Sequence, residues 1–183
     1  MRVKAINLIF IFLEATLLLR SAFSSSTYFL CNEACERDPN FTSDFCVSVL
    51  EPAMSNRTSI TLRDMLNATL NITASNATRI GEIVGKILNE SVTSSDKHRK
   101  GALRDCYSLY ASASSTISAT REDLIAEDYQ KANIDISALM SITVTCEGGF
   151  SEKKRETSPL TKENDCFFHL TAMALTFVTL MVS

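Results

Sequence analysis

Six cysteines, at 31, 35, 46, 106, 146 and 166, are the residues of this chain with the most evident chemistry. Thiols can pair as disulfides, bind a soft metal or act as nucleophiles, and the compartment decides which. Residues 1–23 read as a secretory signal. Arg2 and Lys4 supply a charged start, Leu8 to Leu19 is mostly apolar, and small residues from Ser21 to Ser26 offer a cleavage zone. The apolar run is too short to favour a spanning helix. An exported chain with an even cysteine count reads as a disulfide protein. Cys31-x-x-x-Cys35 could be half a metal site, but no second histidine or cysteine pair accompanies it. The two histidines, His98 in a charged stretch and His169 in an apolar one, read as surface and packing residues rather than bases. No Gly-x-Ser-x-Gly elbow, phosphate-cradling loop or His-Glu-x-x-His pair occurs. The expectation is a protein with no catalytic residues, no metal and no cofactor.

Positioning these cysteines requires a framework. Removing residues 1–23 leaves 160, enough for one domain with a core that buries roughly 70% of its unfolded surface. The formal charge moves from −3 to −5, because Arg2, Lys4 and Arg20 leave together with Glu14. Such mild acidity argues against nucleic acid, whose phosphates demand a basic face. With five glycines, three prolines and no tryptophan, the chain is poor in turn residues and reads as mostly helical.

The predicted fold is all-α: a four-helix up-and-down bundle behind an N-terminal, disulfide-stapled helical hairpin. The expected boundaries are a signal at 1–23, a hairpin at 24–58 and a bundle at 59–183. Asp38-Pro39-Asn40 marks the hairpin turn. A first long helix is predicted over 59–90, with Leu62, Leu66, Leu70, Ala77, Ile80, Ile83, Val84 and Ile87 on one face. Within it, Gly81-x-x-x-Gly85 has the spacing of a membrane packing motif, but Glu82 and Lys86 beside it point to a soluble helix. The stretch from Asp96 to Gly101 reads as a solvated loop. A second helix follows over about 102–125, with Leu103, Cys106, Tyr107, Tyr110, Ala113, Ile117 and Leu124 inward. A turn at Glu127-Asp128 starts a third, with Asp128 as its cap, facing inward at Tyr129, Ala132, Ile136, Leu139, Thr143 and Cys146. Gly148-Gly149 is expected to end it. A charged linker at 151–157 leads to a fourth helix from about Ser158, whose inward face is Leu160, Phe167, Leu170, Ala174, Phe177 and Met181.

Cys106 and Cys146 fall near the outer ends of two consecutive helices, which meet if the helices are antiparallel. Cys31 and Cys46 flank the hairpin turn, although Cys35 shares a helical face with Cys31 and competes for Cys46. Six Asn-x-Ser/Thr acceptors cluster between residues 40 and 91. Asn40, Asn56, Asn67, Asn71 and Asn89 are the expected glycan carriers, and Asn76, at the edge of the apolar face, should tolerate glycan least. The apolar run Phe167–Val182, with Thr157-Ser158 and a polar stretch before it, also matches the composition of a lipid-anchor signal. His169, Thr171, Thr176 and Thr179 within it favour a bundle helix that stays in the mature protein.

Several stretches resemble the plant invertase/pectin methylesterase inhibitor family. They are Asp38-Pro39-Asn40 leading into Asp44-Phe45-Cys46-Val47, Leu103-Arg104-Asp105-Cys106-Tyr107-Ser108-Leu109-Tyr110, and Asp128-Tyr129. Val144-Thr145-Cys146-Glu147-Gly148-Gly149-Phe150 and Ser158-Pro159-Leu160-Thr161-Lys162-Glu163-Asn164 continue the series in order. The resemblance implies an extracellular helical inhibitor that docks over the active site of a cell-wall enzyme. It also implies two disulfides, at Cys31–Cys46 and Cys106–Cys146. Invertase-directed members resemble one another in a Pro-Lys-Phe element at the turn between the second and third bundle helices. Here that place reads Tyr129-Gln130-Lys131, so the cation and the aromatic ring are kept in reversed order without the proline. Cys35 and Cys166 also depart from the family pattern, which leaves open pairing with each other, free thiols or a link between molecules.

The sequence therefore points to a secreted, non-enzymatic inhibitor in the apoplast or cell wall. Its expected partner is pectin methylesterase or acid invertase, with a lean to the former, and contact is expected through Asp128, Tyr129, Gln130 and Lys131. No stable membrane association is expected. The rival reading is a glycoprotein that keeps the fold without inhibiting.

Overall fold

A computed structural model describes residues 26–55, 57–90, 96–151 and 157–182. The signal segment 1–23, Asn56 and most of the 151–157 linker lie outside them. Six helices account for most of the described chain: α1 (26–37), α2 (Ser43–Met54), α3 (Leu62–Glu90), α4 (Lys97–Ile125), α5 (Tyr129–Ser151) and α6 (Thr161–Val182).

The long helices α3 to α6 form a closed four-membered ring. Each packs on its sequence neighbour, and α6 returns to α3. The core they share includes Leu66, Leu70, Ile80, Leu103, Ile117, Ile136, Phe167 and Phe177, all essentially without exposure. α3 starts at Leu62, three residues later than the pattern predicts, because Thr61 and Asp64 cap it reciprocally. The Thr61 amide donates to Asp64 Oδ2 at 3.0 Å and the Asp64 amide to Thr61 Oγ1 at 3.2 Å. The Thr61 hydroxyl, helped by Arg57, holds the Asp64 carboxyl below its ordinary pKa.

α4 corrects the expected loop at 96–101. Asp96 caps the helix by accepting from the Arg99 amide at 3.1 Å, and helix begins at Lys97. Tyr107, expected in the core, is instead half exposed. α5 corrects a second expectation. It runs through Gly148 and Gly149 to Ser151, and neither glycine has positive φ. A Cβ on Gly148 would meet nothing within 4 Å. Glycine there serves neither turn nor close approach. Gly148→Ala is therefore expected to stabilise the protein by about 0.5–1 kcal/mol through backbone entropy, read as a higher midpoint in urea.

α6 is long and apolar enough to cross a membrane by length and composition, yet half of that stretch is buried in the bundle. Its threonines are accommodated because buried hydroxyls donate back along the helix. Thr171 Oγ1 reaches the Phe167 carbonyl at 3.0 Å and Thr176 Oγ1 the Ala172 carbonyl at 3.0 Å. The hairpin rests on α6 through its turn. Asp38 Oδ1 accepts from the Asn40 amide at 2.9 Å, Asp38 Oδ2 shares the Thr176 hydroxyl proton with the Ala172 carbonyl at an Oγ1 distance of 3.3 Å, and His169 Nδ1 donates to the Asn40 carbonyl. The His169 ring also tilts against Phe45, with centroids 5.5 Å apart.

Both bridges form, Cys31–Cys46 across the hairpin and Cys106–Cys146 between α4 and α5. Cys35 and Cys166 are free thiols. The Cys35 thiol donates to the Phe41 carbonyl at 3.1 Å, and Cys166 faces Asn76 Nδ2 at 3.7 Å.

Candidate functional site

The turn joining α4 to α5 collects side chains from three helices at one end of the bundle. The last turn of α4 closes with an Asp128 amide to Asp123 carbonyl bond of 2.9 Å and a Glu127 amide to Leu124 carbonyl bond of 3.4 Å. That pair is the Schellman arrangement, which requires a left-handed residue, usually glycine, just past the helix. Here the residue is Glu127, with φ of 58°. Its Cβ makes this conformation costly by about 1 kcal/mol relative to glycine.

The turn is then tied down on both sides. Arg63, from the first turn of α3, donates to the Leu124 carbonyl at 2.9 Å and to Tyr129 Oη at 2.8 Å. Its guanidinium also lies 3.8 Å from the Glu127 carboxylate. Asp128 Oδ1 caps α5 by accepting from the Lys131 amide at 3.0 Å. Lys131 Nζ donates to Asp123 Oδ1 at 2.5 Å, and that hydrogen bond raises the Lys131 pKa. Three of the four expected contact residues, Asp128, Tyr129 and Lys131, are thus engaged within the fold; Tyr129 is partly buried, while Asp128, Gln130 and Lys131 stay exposed. Ile125 is 80% exposed and Ile134 is 61% exposed. Beside them, Tyr129, Asn133, Ile134, Val178 and Val182 line a shallow groove of about 530 Å³ between α5 and α6. Among the described residues, no cluster of His, Cys, Asp or Glu could hold a metal ion.

Asp123 is buried, and its Oδ2 has no hydrogen-bond partner. Asp135 lies close by, and burial, reinforced by the Asp123 charge, raises its pKa above the ordinary 3.8. A carboxyl with a raised folded-state pKa adds stability at low pH, and that contribution is lost as pH rises through the folded value. Asp135→Asn, an uncharged analogue of the protonated acid, is therefore expected to melt about 1–2 °C higher than the parent at pH 7. The difference should close as pH falls below about 4. Melting curves across that range check it.

Of the expected glycan carriers, Asn40, Asn67, Asn71 and Asn89 are exposed. Asn40 Nδ2 already donates to Asp38 Oδ1 at 2.7 Å, and Asn71 Oδ1 accepts from Arg121 at 2.7 Å. Asn76 is partly buried, with its Oδ1 enclosed and unpartnered.

Residues 30–177 match the family described as plant invertase/pectin methylesterase inhibitor. The chain belongs to that family. Relatives of this inhibitor family include a Platanus acerifolia protein named "Putative invertase inhibitor", 34% identical over 96% of both chains. The Arabidopsis thaliana protein "Pectinesterase inhibitor 12" is 29% identical over 82% of this chain and 84% of its own. A crystal structure of a mutant pectin methylesterase inhibitor from Arabidopsis superposes with a TM-score of 0.63 at 23% identity, covering 75% of this chain and 88% of the other. That likeness shows the inhibitor family's fold.

Sequence reasoning missed Arg63, Asp123 and Glu127 as parts of this site. Arg63 stands 66 residues before Tyr129, so only the bundle brings them together. The turn at Glu127-Asp128 is legible from the Asp128 cap, but a glutamate where glycine is usual does not mark itself as the left-handed residue.

Proposed function

We propose that this protein is an extracellular, non-enzymatic inhibitor of a plant cell-wall carbohydrate enzyme, invertase or pectin methylesterase, and that it docks through the α4–α5 turn. One observation carries the docking assignment: Glu127 holds an exposed carboxylate on a left-handed backbone where glycine would be more stable. Such a local cost persists where the side chain has a use outside the fold. The pinned turn around it suits blocking, because a surface already ordered loses little entropy on binding. Exposed Ile125, Gln130 and Ile134 supply apolar and polar contact beside it.

The target divides on two observations. Lys131 is committed to Asp123, so the free cation implied for an invertase-type element is absent here, which favours pectin methylesterase. The name of the 34% identical relative favours invertase. Matched inhibition curves against both enzymes decide between them. Glu127→Gly is expected to raise the melting temperature by about 2 °C. It should also weaken inhibition of the true target at least tenfold. Unchanged inhibition would remove the turn from the interface. Failure of the parent protein to inhibit either enzyme would establish the non-inhibitory reading.

A further inference from the structure

Gly81 and Gly85 lie in the interior of α3, where each costs about 1 kcal/mol relative to alanine. Neither has positive φ, and a Cβ on either would meet nothing within 4 Å. Backbone geometry does not require them, and neither does packing within the chain. Together they form the floor of a groove of about 350 Å³ between α3 and α4, with Tyr107 on the opposite wall and Thr78, Glu82 and Ser114 around it. Tyr107 is 48% exposed, so its ring is open to whatever occupies the groove. An aromatic ring among hydroxyls and a carboxylate suits a sugar, whose apolar face stacks while its hydroxyls hydrogen-bond.

The occupant is indicated by a neighbour. Asn89, an exposed acceptor in Asn89-Glu90-Ser91, follows Gly85 by one helical turn. That spacing puts it about 6 Å further along α3 and within about 40° of Gly85 around it. Helical side chains lean towards the N-terminal turn, so a group on Asn89 covers the surface over Gly85. Asn71 lies on the same stripe beyond the other end of the groove, but Arg121 holds its Oδ1, and its side chain leans away from the glycines.

We propose that the α3–α4 groove seats the first sugar of an N-linked glycan carried on Asn89, packed over Gly85 and against Tyr107. The groove is thereby filled by the protein's own modification, and α3–α4 becomes a covered side of the bundle. The proposal requires passage through the secretory pathway and is independent of whether the protein inhibits.

The test uses the full chain secreted from a eukaryotic host, with Asn→Gln at the other five acceptors so that Asn89 alone can carry glycan. Glycopeptide mass spectrometry reads its occupancy. Enzymatic removal of the glycan is expected to lower the melting temperature by about 2–4 °C, and to speed amide exchange around Gly81 and Gly85 several-fold. In Tyr107→Ala, and separately in Gly85→Leu, the same removal should change neither quantity. Tyr107 is half exposed and the site of Gly85 is open, so both variants should fold. An unoccupied Asn89 would overturn the proposal, as would a glycan effect absent from the parent or undiminished in both variants.

Discussion

Replacing Cys106 and Cys146 together by alanine is expected to cost about 4 kcal/mol, the largest effect of any change considered for this protein. The bridge closes a separation of 40 residues, and the chain-entropy relation gives about that value for a loop of this length. The shorter Cys31–Cys46 separation of 15 residues corresponds to about 3 kcal/mol. Both Cys106 and Cys146 are buried, with Cα atoms 4.9 Å apart. The double variant therefore also loses sulfur packing between α4 and α5. Urea denaturation of parent and variant measures the loss. A difference below 1 kcal/mol would mean that the unbridged chain already holds these two helices together when unfolded.

Asn164→Leu should cost about 2–4 kcal/mol although the two side chains are similar in size. Asn164 is buried in the first turn of α6 and joins three helices. Its Oδ1 accepts from Tyr110 Oη of α4 at 2.5 Å, while its Nδ2 donates to Glu147 Oε1 of α5 and faces Cys146 Sγ at 3.5 Å. Burial, with the Glu147 charge behind it, drives the Tyr110 pKa up, so the phenol stays a neutral donor. Leucine would leave that donor without its acceptor inside the core, which carries the full desolvation penalty. The companion substitution Tyr110→Phe should recover part of the loss when combined with Asn164→Leu, because it removes the stranded hydroxyl. A double-mutant cycle in urea reads this directly. Strict additivity of the two changes would show that the hydrogen bond is not their link.

Much of the architecture is visible in apolar periodicity because amphipathic helices advertise their buried stripe. Leu66, Leu70, Ala77, Ile80 and Val84 on α3, and Phe167, Leu170, Ala174 and Phe177 on α6, face inward as their spacing predicts. Helix ends were less visible where two signals compete. Lys97, Arg99 and Lys100 have the composition of a loop, yet Asp96 just before them supplies a cap, and the cap prevails. Gly148-Gly149 resembles a helix terminus, but the peptide hydrogen bonds continue past both residues to Ser151. At the candidate site, the Asp128 cap could be read from local spacing. The ties from Arg63 to Tyr129 and from Lys131 to Asp123 could not, because they depend on how helices meet across the bundle.

The apolar character of α6 has a consequence for how the protein is made. α6 packs on α3 and α5, and both precede it in the chain. During synthesis it therefore emerges when two of its docking surfaces have already been made. Until it docks, it presents a stretch with the length and hydropathy of a membrane span to any bilayer it meets. For an exported chain, as proposed above, folding then becomes a contest between bundle closure and lateral escape into the bilayer. A substitution that slows the packing of α4 between α3 and α5 would appear first as retained or aggregated protein, well before the finished bundle registered any loss of stability.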